Sequence, residues 1–213
     1  LTVTEKGYCH NPATGVLTVD HPDIAHYLQQ EMPRSAPGFL VRALARRRAT
    51  GVPPFTVLSC DNLPENGALV RQIILDFAHL IDPTLAQWIG ENGRFPATMV
   101  DRITPQPSAE HHAEAMSLYG KGLDLGPTIH AEDFIQWVIE DNFATEFPDL
   151  RPEDATFTPD VDPYEETKIR VLNGGHTALA YMGALGGFDR FDEVMAHPET
   201  ARHFSQFERE EVL

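Results

Sequence analysis

Basic residues are scarce in this chain of 213 residues: 16 Lys and Arg stand against 32 Asp and Glu, a formal net charge of −16. That balance argues against a nucleic-acid partner, because neutralising phosphates takes clustered Lys and Arg. The one basic run, Arg46-Arg47-Arg48, reads as a solvated helix face. Cysteine is nearly absent. Cys9 and Cys60 form no C-x-x-C pair, so no disulfide framework is expected. No apolar run approaches the roughly 20 residues of a membrane helix. No secretory signal is visible either, so no membrane partner is expected and a reducing cytoplasm is the default. A G-x-G-x-x-G phosphate loop is also missing. Gly120, Gly122 and Gly126 have the wrong spacing and follow no convincing strand. What remains is ordinary globular composition: 42% hydrophobic and 23% charged residues exclude a disordered or fibrous chain. The chain opens on Leu rather than Met, and Leu1-Thr2-Val3-Thr4 already alternates like a strand, which reads as the interior of a longer protein.

The punctuation points to an α/β chain. LTVTEKGY (1–8) reads as a short strand entering a loop, and a helix is expected over about 23–30. Residues 38–49 carry Leu40, Val41, Leu44 and Ala45 on one face with the arginines opposite, an amphipathic helix. Phe55 to Cys60 is apolar, β-prone and bounded by Pro54 and Asp61, the mark of a buried strand. Helices follow over 67–80, where Leu69, Val70, Ile73, Ile74, Phe77 and Leu80 form one stripe, and over 84–89. The polar loop 61–67 would then leave the carboxyl end of a strand, where α/β sheets bind ligands. Asn66 within it reads first as a helix N-cap. The stretch 106–127 is polar and glycine-rich and is the expected domain boundary, dividing 1–127 from 128–213. Residues 134–139 are β-prone, 147–163 form a Pro-rich acidic loop, and the chain turns helical from Tyr164.

The segment YEETKIRVLNGGHT (164–177) carries the chemistry. At about 100° per residue, Glu165, Lys168, Asn173 and His176 fall within an arc of about 140°. A lysine in a partly desolvated pocket can serve as a base near neutral pH. An asparagine amide can donate to a developing oxyanion, and a histidine can orient the reacting oxygen. Gly174 and Gly175 inside a helix point to a close approach to its backbone. From spacing alone the plainer reading stands ahead: an exposed face with a Glu165–Lys168 pair and a satisfied histidine.

Five segments change that weighting: LTVTEKGY (1–8), FTVLSCDNLPENG (55–67), FPATMVDRITP (95–105), QWVIEDNF (136–143) and DPYEETKIRVLNGGHTALAY (162–181). In this order they resemble the mannitol dehydrogenase family of polyol-specific long-chain dehydrogenases, which includes mannitol 2-dehydrogenase and fructuronate reductase. The resemblance implies the later part of a Rossmann-type nucleotide-binding domain followed by the start of a mainly α-helical substrate domain. It implies a metal-independent oxidoreductase using NAD, with NADP as the variant. The reaction interconverts a secondary alcohol and a ketone on an open-chain polyol, ketose or hexuronate. Carried over residue by residue, the general acid/base falls on Lys168, the oxyanion asparagines on Asn173 and Asn62, and the oxygen-binding histidine on His176. Substrate contacts fall on Val100, Asp101, Asn173 and His176, and proton exchange with solvent on Glu165.

The chain departs from the family in lacking the Gly-rich phosphate loop, which lies upstream of LTVTEKGY in its members. It also stops before the family's further helices. A non-catalytic acidic interaction module derived from the family is the alternative, and the intact Lys168, Asn173, His176 and Asn62 set argues against it. A metal reading would cite His10, His21, His26, His111 and His112, none of which has zinc-site spacing with cysteine partners. Cys60 as nucleophile is set against the inertness of a buried thiol. Trp88 and Trp137 read as core.

Overall fold

The structure is a computed structural model. It describes every residue except positions 31, 121, 123–125 and 213, and only the backbone of Glu5. It divides into two compact units, Leu1–Pro159 and Asp160–Leu213.

In the first unit, α1 (Pro22–Gln29), α2 (Ala36–Ala49), α3 (Asn66–Ile81) and α4 (Pro83–Asn92) precede β1 (Thr98–Asp101). A short helix, α5 (Ala109–Ala115), runs into a π-helical turn, Met116–Gly120, and β2 (Gln136–Glu140) and β3 (Ala155–Thr158) complete the unit. The helix starts are chemically marked. Ser35 Oγ accepts from Gly38 N with Pro37 in the first turn, and the Asp82 carboxylate accepts from Thr84 N behind Pro83. The arginine run lies in the last turn of α2, where its charge suits the helix dipole. It is not simply a solvated face. Arg48 reaches Asp82 at 3.2 Å and Thr84 at 3.0 Å, while Arg47 donates to the Pro53 carbonyl and lies over the Phe55 ring. The centre of the apolar stripe of α3 is buried as its spacing predicts: Val70, Ile73, Ile74 and Phe77 join Val41, Leu44, Leu85 and Ile89 in the core, while Leu69 is half-buried and Leu80, at the end of the helix, is exposed.

The sheet is short. β2 lies between β1, to which it is antiparallel (Met99 opposite Val138), and β3, to which it is parallel (Ile139 opposite Phe157). β3 falls inside the stretch that reads as a Pro-rich loop; only four residues long, it is masked by the surrounding prolines. The glycine-rich stretch at 106–127 reads as a boundary, yet β2 beyond it pairs with β1 before it, so 128–159 belong to the first unit. Positions 121 and 123–125 of that stretch lie outside the described residues.

The expected strand at 55–60 is extended and partly buried, with Val57 and Ser59 inward, but it does not form a full ladder. It makes one parallel bridge, Thr56 with Arg94, and Val57 N donates to Arg94 O. Continuing that register, the next donor due is the N–H of residue 96, which is proline and has none. On the other side, Leu1 brackets Ser59. Its amine donates to Leu58 O at 2.8 Å and its carbonyl accepts from Cys60 N at 2.9 Å, a parallel pairing. LTVTEKGY is therefore strand-like only at its first residues and closes in a 3-10 turn, Glu5–Tyr8.

The second unit is helical: α6 (Asp162–Thr167), a π-helical stretch Lys168–Asn173, α7 (Gly174–Gly186), α8 (Phe191–Ala196), α9 (Pro198–Phe207) and a final π-helical turn, Glu208–Val212. Glycines set its packing. A Cβ on Gly183 would come 3.1 Å from Val194, and one on Gly175 would come 2.7 Å from Glu208 Oε1 and 3.2 Å from Phe204. The close approach expected at the mid-helix glycines is thus to the end of α9 and the turn after it.

Gly67 is the tightest such point in the first unit. A Cβ there would lie 2.5 Å from Phe95 O, 2.7 Å from Ala97 N and 2.8 Å from Pro96 C, all backbone atoms that cannot yield cheaply. Gly67→Ala should therefore destabilise the fold by about 1–3 kcal/mol from overpacking, although alanine is the better helix former by about 1 kcal/mol. The midpoint of denaturant unfolding checks the sign; a stabilised variant would contradict the packing.

Candidate active site

In the first unit three extended segments run parallel: 1–3, 55–60 and the chain entering β1. From the carboxyl ends of the first two leave TEKGY and DNLPEN, and β1 ends at Val100-Asp101. This is the edge at which α/β sheets bind ligands. A cleft of about 800 Å³ opens on the loops of the first two, lined by Lys6, Cys9, His10, His21, Glu65 and Gln72 among others.

Asp61 organises this edge. Its buried carboxylate accepts from Val3 N at 3.0 and 3.1 Å, from Thr4 N at 2.9 Å and from the Tyr8 hydroxyl at 2.5 Å. Tyr8 Oη also meets Ser59 Oγ at 2.7 Å. Thr4 sits at φ 62°, ψ 168°, a region almost reserved for glycine, and the carboxylate holds it there. Burial, and then the bond to Asp61, push the Tyr8 phenol well above its ordinary range.

Asn62 follows directly and is exposed. Val100 and Asp101 close β1, half-buried, and as consecutive strand residues they point to opposite faces. They therefore present different surfaces, with Val100 on the face of Thr98. Asn66 does not cap α3. It is the first residue of the helix, 1% exposed, and its amide is spent between strands; the N-cap is Glu65, with φ 47° and no side-chain cap bond. Its main partner, Thr98, carries no signal in the sequence that distinguishes it from a core residue.

In the second unit the Lys168 segment is not a regular α-helix. Gly174 N donates to Ile169 O, five residues back, as a π-helix requires. The 100° arithmetic therefore fails over 168–173. In an α-helix residues five apart diverge by about 140°; an i to i+5 turn brings Asn173 back over Lys168. Such π stretches recur at functional sites. Lys168, Glu165 and His176 are half-buried and Asn173 exposed. The His176 ring stacks on Phe191 at 5.5 Å and 26°, which fixes its plane. Thr177 Oγ1 donates to Asn173 O at 2.9 Å. Arg170 pairs with Glu166 at 2.6 Å.

The other sequence candidates resolve individually. Cys9, His21 and Asp23 bring ligand atoms within 4.8 Å of one another. However, His21 Nδ1 already accepts from Asp23 N at 3.2 Å, and the Cys9 thiol, raised by burial, is bonded to Ser35. His111 stacks flat on His130 at 4.1 Å, and His112 Nδ1 meets Thr128 Oγ1 at 2.9 Å. Burial also raises the Cys60 thiol, the opposite of an activated nucleophile. No helix among the described residues is long and apolar enough to cross a membrane.

Parallel segments with loops leaving one edge, followed by a helical unit, are the arrangement of a Rossmann-type domain joined to a helical one. The family models are specific. That described as the mannitol dehydrogenase Rossmann domain matches residues 1–151, and the mannitol dehydrogenase C-terminal domain matches residues 160–213. The chain belongs to the mannitol dehydrogenase family. It is 48% identical over 196 residues to the uncharacterized oxidoreductase YdfI of Escherichia coli K12, covering 92% of this chain and 40% of that protein. It is 46% identical over 200 residues to the D-mannonate oxidoreductase of the same organism, covering 93% and 40%. Among solved structures, the ternary complex of Pseudomonas fluorescens mannitol 2-dehydrogenase with NAD and D-mannitol superposes with a TM-score of 0.82 at 42% identity, covering 100% of this chain and 43% of that one. The chain spans less than half the length of these relatives.

Tyr8 gives this edge a pH signature. A phenol held protonated in the fold adds stability that is complete below its ordinary value near 10 and is lost as pH rises through the raised folded value. Unfolding free energy should therefore decline on the alkaline side, and Tyr8→Phe should flatten that decline; an unchanged alkaline limb would contradict the burial of Tyr8 against Asp61.

Proposed function

We propose that this protein is an NAD-dependent oxidoreductase interconverting a secondary alcohol and a ketone on an open-chain sugar derivative, of the D-mannonate/D-fructuronate or mannitol/fructose type. The observation that carries this reading is the π-helical stretch that aligns Lys168 with Asn173 one turn apart, beside a histidine whose plane is fixed, in a chain whose relatives include a D-mannonate oxidoreductase and a mannitol 2-dehydrogenase solved with NAD and D-mannitol.

In alcohol oxidation, neutral Lys168 takes the hydroxyl proton at Nζ. The amide of Asn173 donates to the oxygen as it becomes an alkoxide, and Asn62 is the second amide in that role. His176, its plane set by Phe191, binds the oxygen and orients it. In reduction, protonated Lys168 returns the proton. Glu165, one turn before the lysine, exchanges that proton with solvent, and Val100 and Asp101 contact the substrate. The ammonium and the amides supply the charge stabilisation, so the reaction calls for no metal ion. The carboxyl-end edge of the first unit fits the reactive end of a nicotinamide cofactor, which supplies the hydride acceptor when bound. The 213 residues contain no Gly-rich turn for its phosphates, and none of them is assigned to that contact.

The test is kinetic, on an active enzyme carrying this sequence, with mannitol, arabinitol, fructose and fructuronate as substrates. Lys168→Ala should abolish turnover. Asn62→Ala and Asn173→Ala should each lower kcat by about 10²–10³-fold with little change in cofactor affinity. A Lys168→Ala enzyme that keeps most of its turnover would overturn the assignment.

A further inference from the structure

We propose that Asn66 is a positioning residue for catalysis: its buried side chain ties the carbonyl of Asp61, next to Asn62, to the backbone of Thr98, two residues before Val100. The inference rests on the functional reading above, in which Asn62 and Val100-Asp101 act on the substrate.

The bonds are few and complete. Asn66 Nδ2 donates to Asp61 O at 3.1 Å, to Thr98 O at 2.9 Å and meets Thr98 Oγ1 at 3.1 Å, while Oδ1 accepts from Thr98 N at 2.9 Å. A carboxamide offers two donors and one acceptor oxygen. Both donors and the acceptor are engaged with the protein's own chain, and the residue is 1% exposed. Asn66 therefore has nothing to offer a ligand directly, and its effect on one must pass through what it holds.

What it holds is the gap in the sheet. Beyond Pro96 a regular parallel ladder would have Thr98 N donate to Ser59 O and Asp61 N donate to Thr98 O. Neither bond forms in that way. Thr98 Oγ1 donates to Ser59 O at 2.6 Å instead, and the Asn66 amide takes both backbone groups of Thr98. A side chain anchored on α3 thus replaces a strand residue. Because Gly67 seats the first turn of α3 against the backbone of 95–97, the anchor has no room to drift.

The lever arms are short. Asn62 is bonded directly to Asp61, and Val100 lies about 7 Å along the strand from Thr98. A displacement of about 1 Å at a catalytic group can cost about 10²-fold in rate, so loosening this tie should appear in turnover before it appears in binding.

The experiment is a double-mutant cycle in kcat and KM on an active enzyme carrying this sequence. Asn66→Ser should lower kcat by about 10- to 100-fold and leave KM for NAD within about twofold. Its cost should shrink to about threefold or less in an Asn62→Ala background, because the two act as one unit. Should Asn66→Ser fail to fold, Thr98→Val removes one hydroxyl while sparing the backbone bonds; it should show the same coupling to Asn62→Ala, and Thr98→Ser should restore turnover. Unchanged kcat with only a lower melting temperature, or a loss that multiplies in full with that of Asn62→Ala, would overturn the positioning role and leave the function intact. Wild-type kcat in Asn62→Ala itself would overturn the functional reading and this inference with it.

Discussion

A proline at position 96 takes a donor out of the segment that pairs with 55–60, and the first unit is completed around that gap by side chains. Asp61 and Asn66 do most of the work, one on each side of segment 55–60. The carboxylate gathers the backbone of Val3 and Thr4 and the hydroxyl of Tyr8. The carboxamide gathers Thr98 and the carbonyl of Asp61. Buried backbone polar groups need partners, and both residues meet that need while setting where the loops TEKGY and DNLPEN begin and where β1 runs. Ser59, Asp61 and Asn66 thus join three chain segments that are far apart in sequence.

The second unit uses a different device for a similar end. A π-helical stretch shifts the register between α6 and α7, so that residues five apart share a face. An ordinary helix would have spread Lys168 and Asn173 apart; the wider turn does not. The glycine that follows, Gly175, leaves space for Glu208 and Phe204 rather than for a ligand. The stack of His176 on Phe191 adds a fixed ring plane. In both units, the groups to which we assign a chemical role are held by neighbours to which we assign none.

Much of this was legible in the sequence where periodicity is long. The α3 stripe at 69–80, the α2 face and the helical turn of the chain after Tyr164 are each set by apolar spacing over several turns. The five motif segments are what singled out Lys168, Asn173, His176, Asn62, Val100 and Asp101 as candidates, and their roles remain a proposal. What was hidden depended on single bonds or on register. An asparagine before a helix looks like a cap, and only the tertiary position of Thr98 shows where the Asn66 amide goes. A π turn has no residue signature, so the angles computed for 168–173 were those of the wrong helix. The boundary misled because polarity marks a long surface loop as readily as a linker; the pairing of β1 with β2 across 106–127 is non-local.

Lys168 is the group we propose to take and return the proton of the substrate hydroxyl. Chemical rescue tests it most directly. In an active enzyme carrying this sequence, Lys168→Ala should be inert alone and should regain turnover in proportion to added methylamine, a free base of the same chemistry. A Lys168→Ala enzyme that turns over near the wild-type rate, the same with and without the amine, would contradict the account.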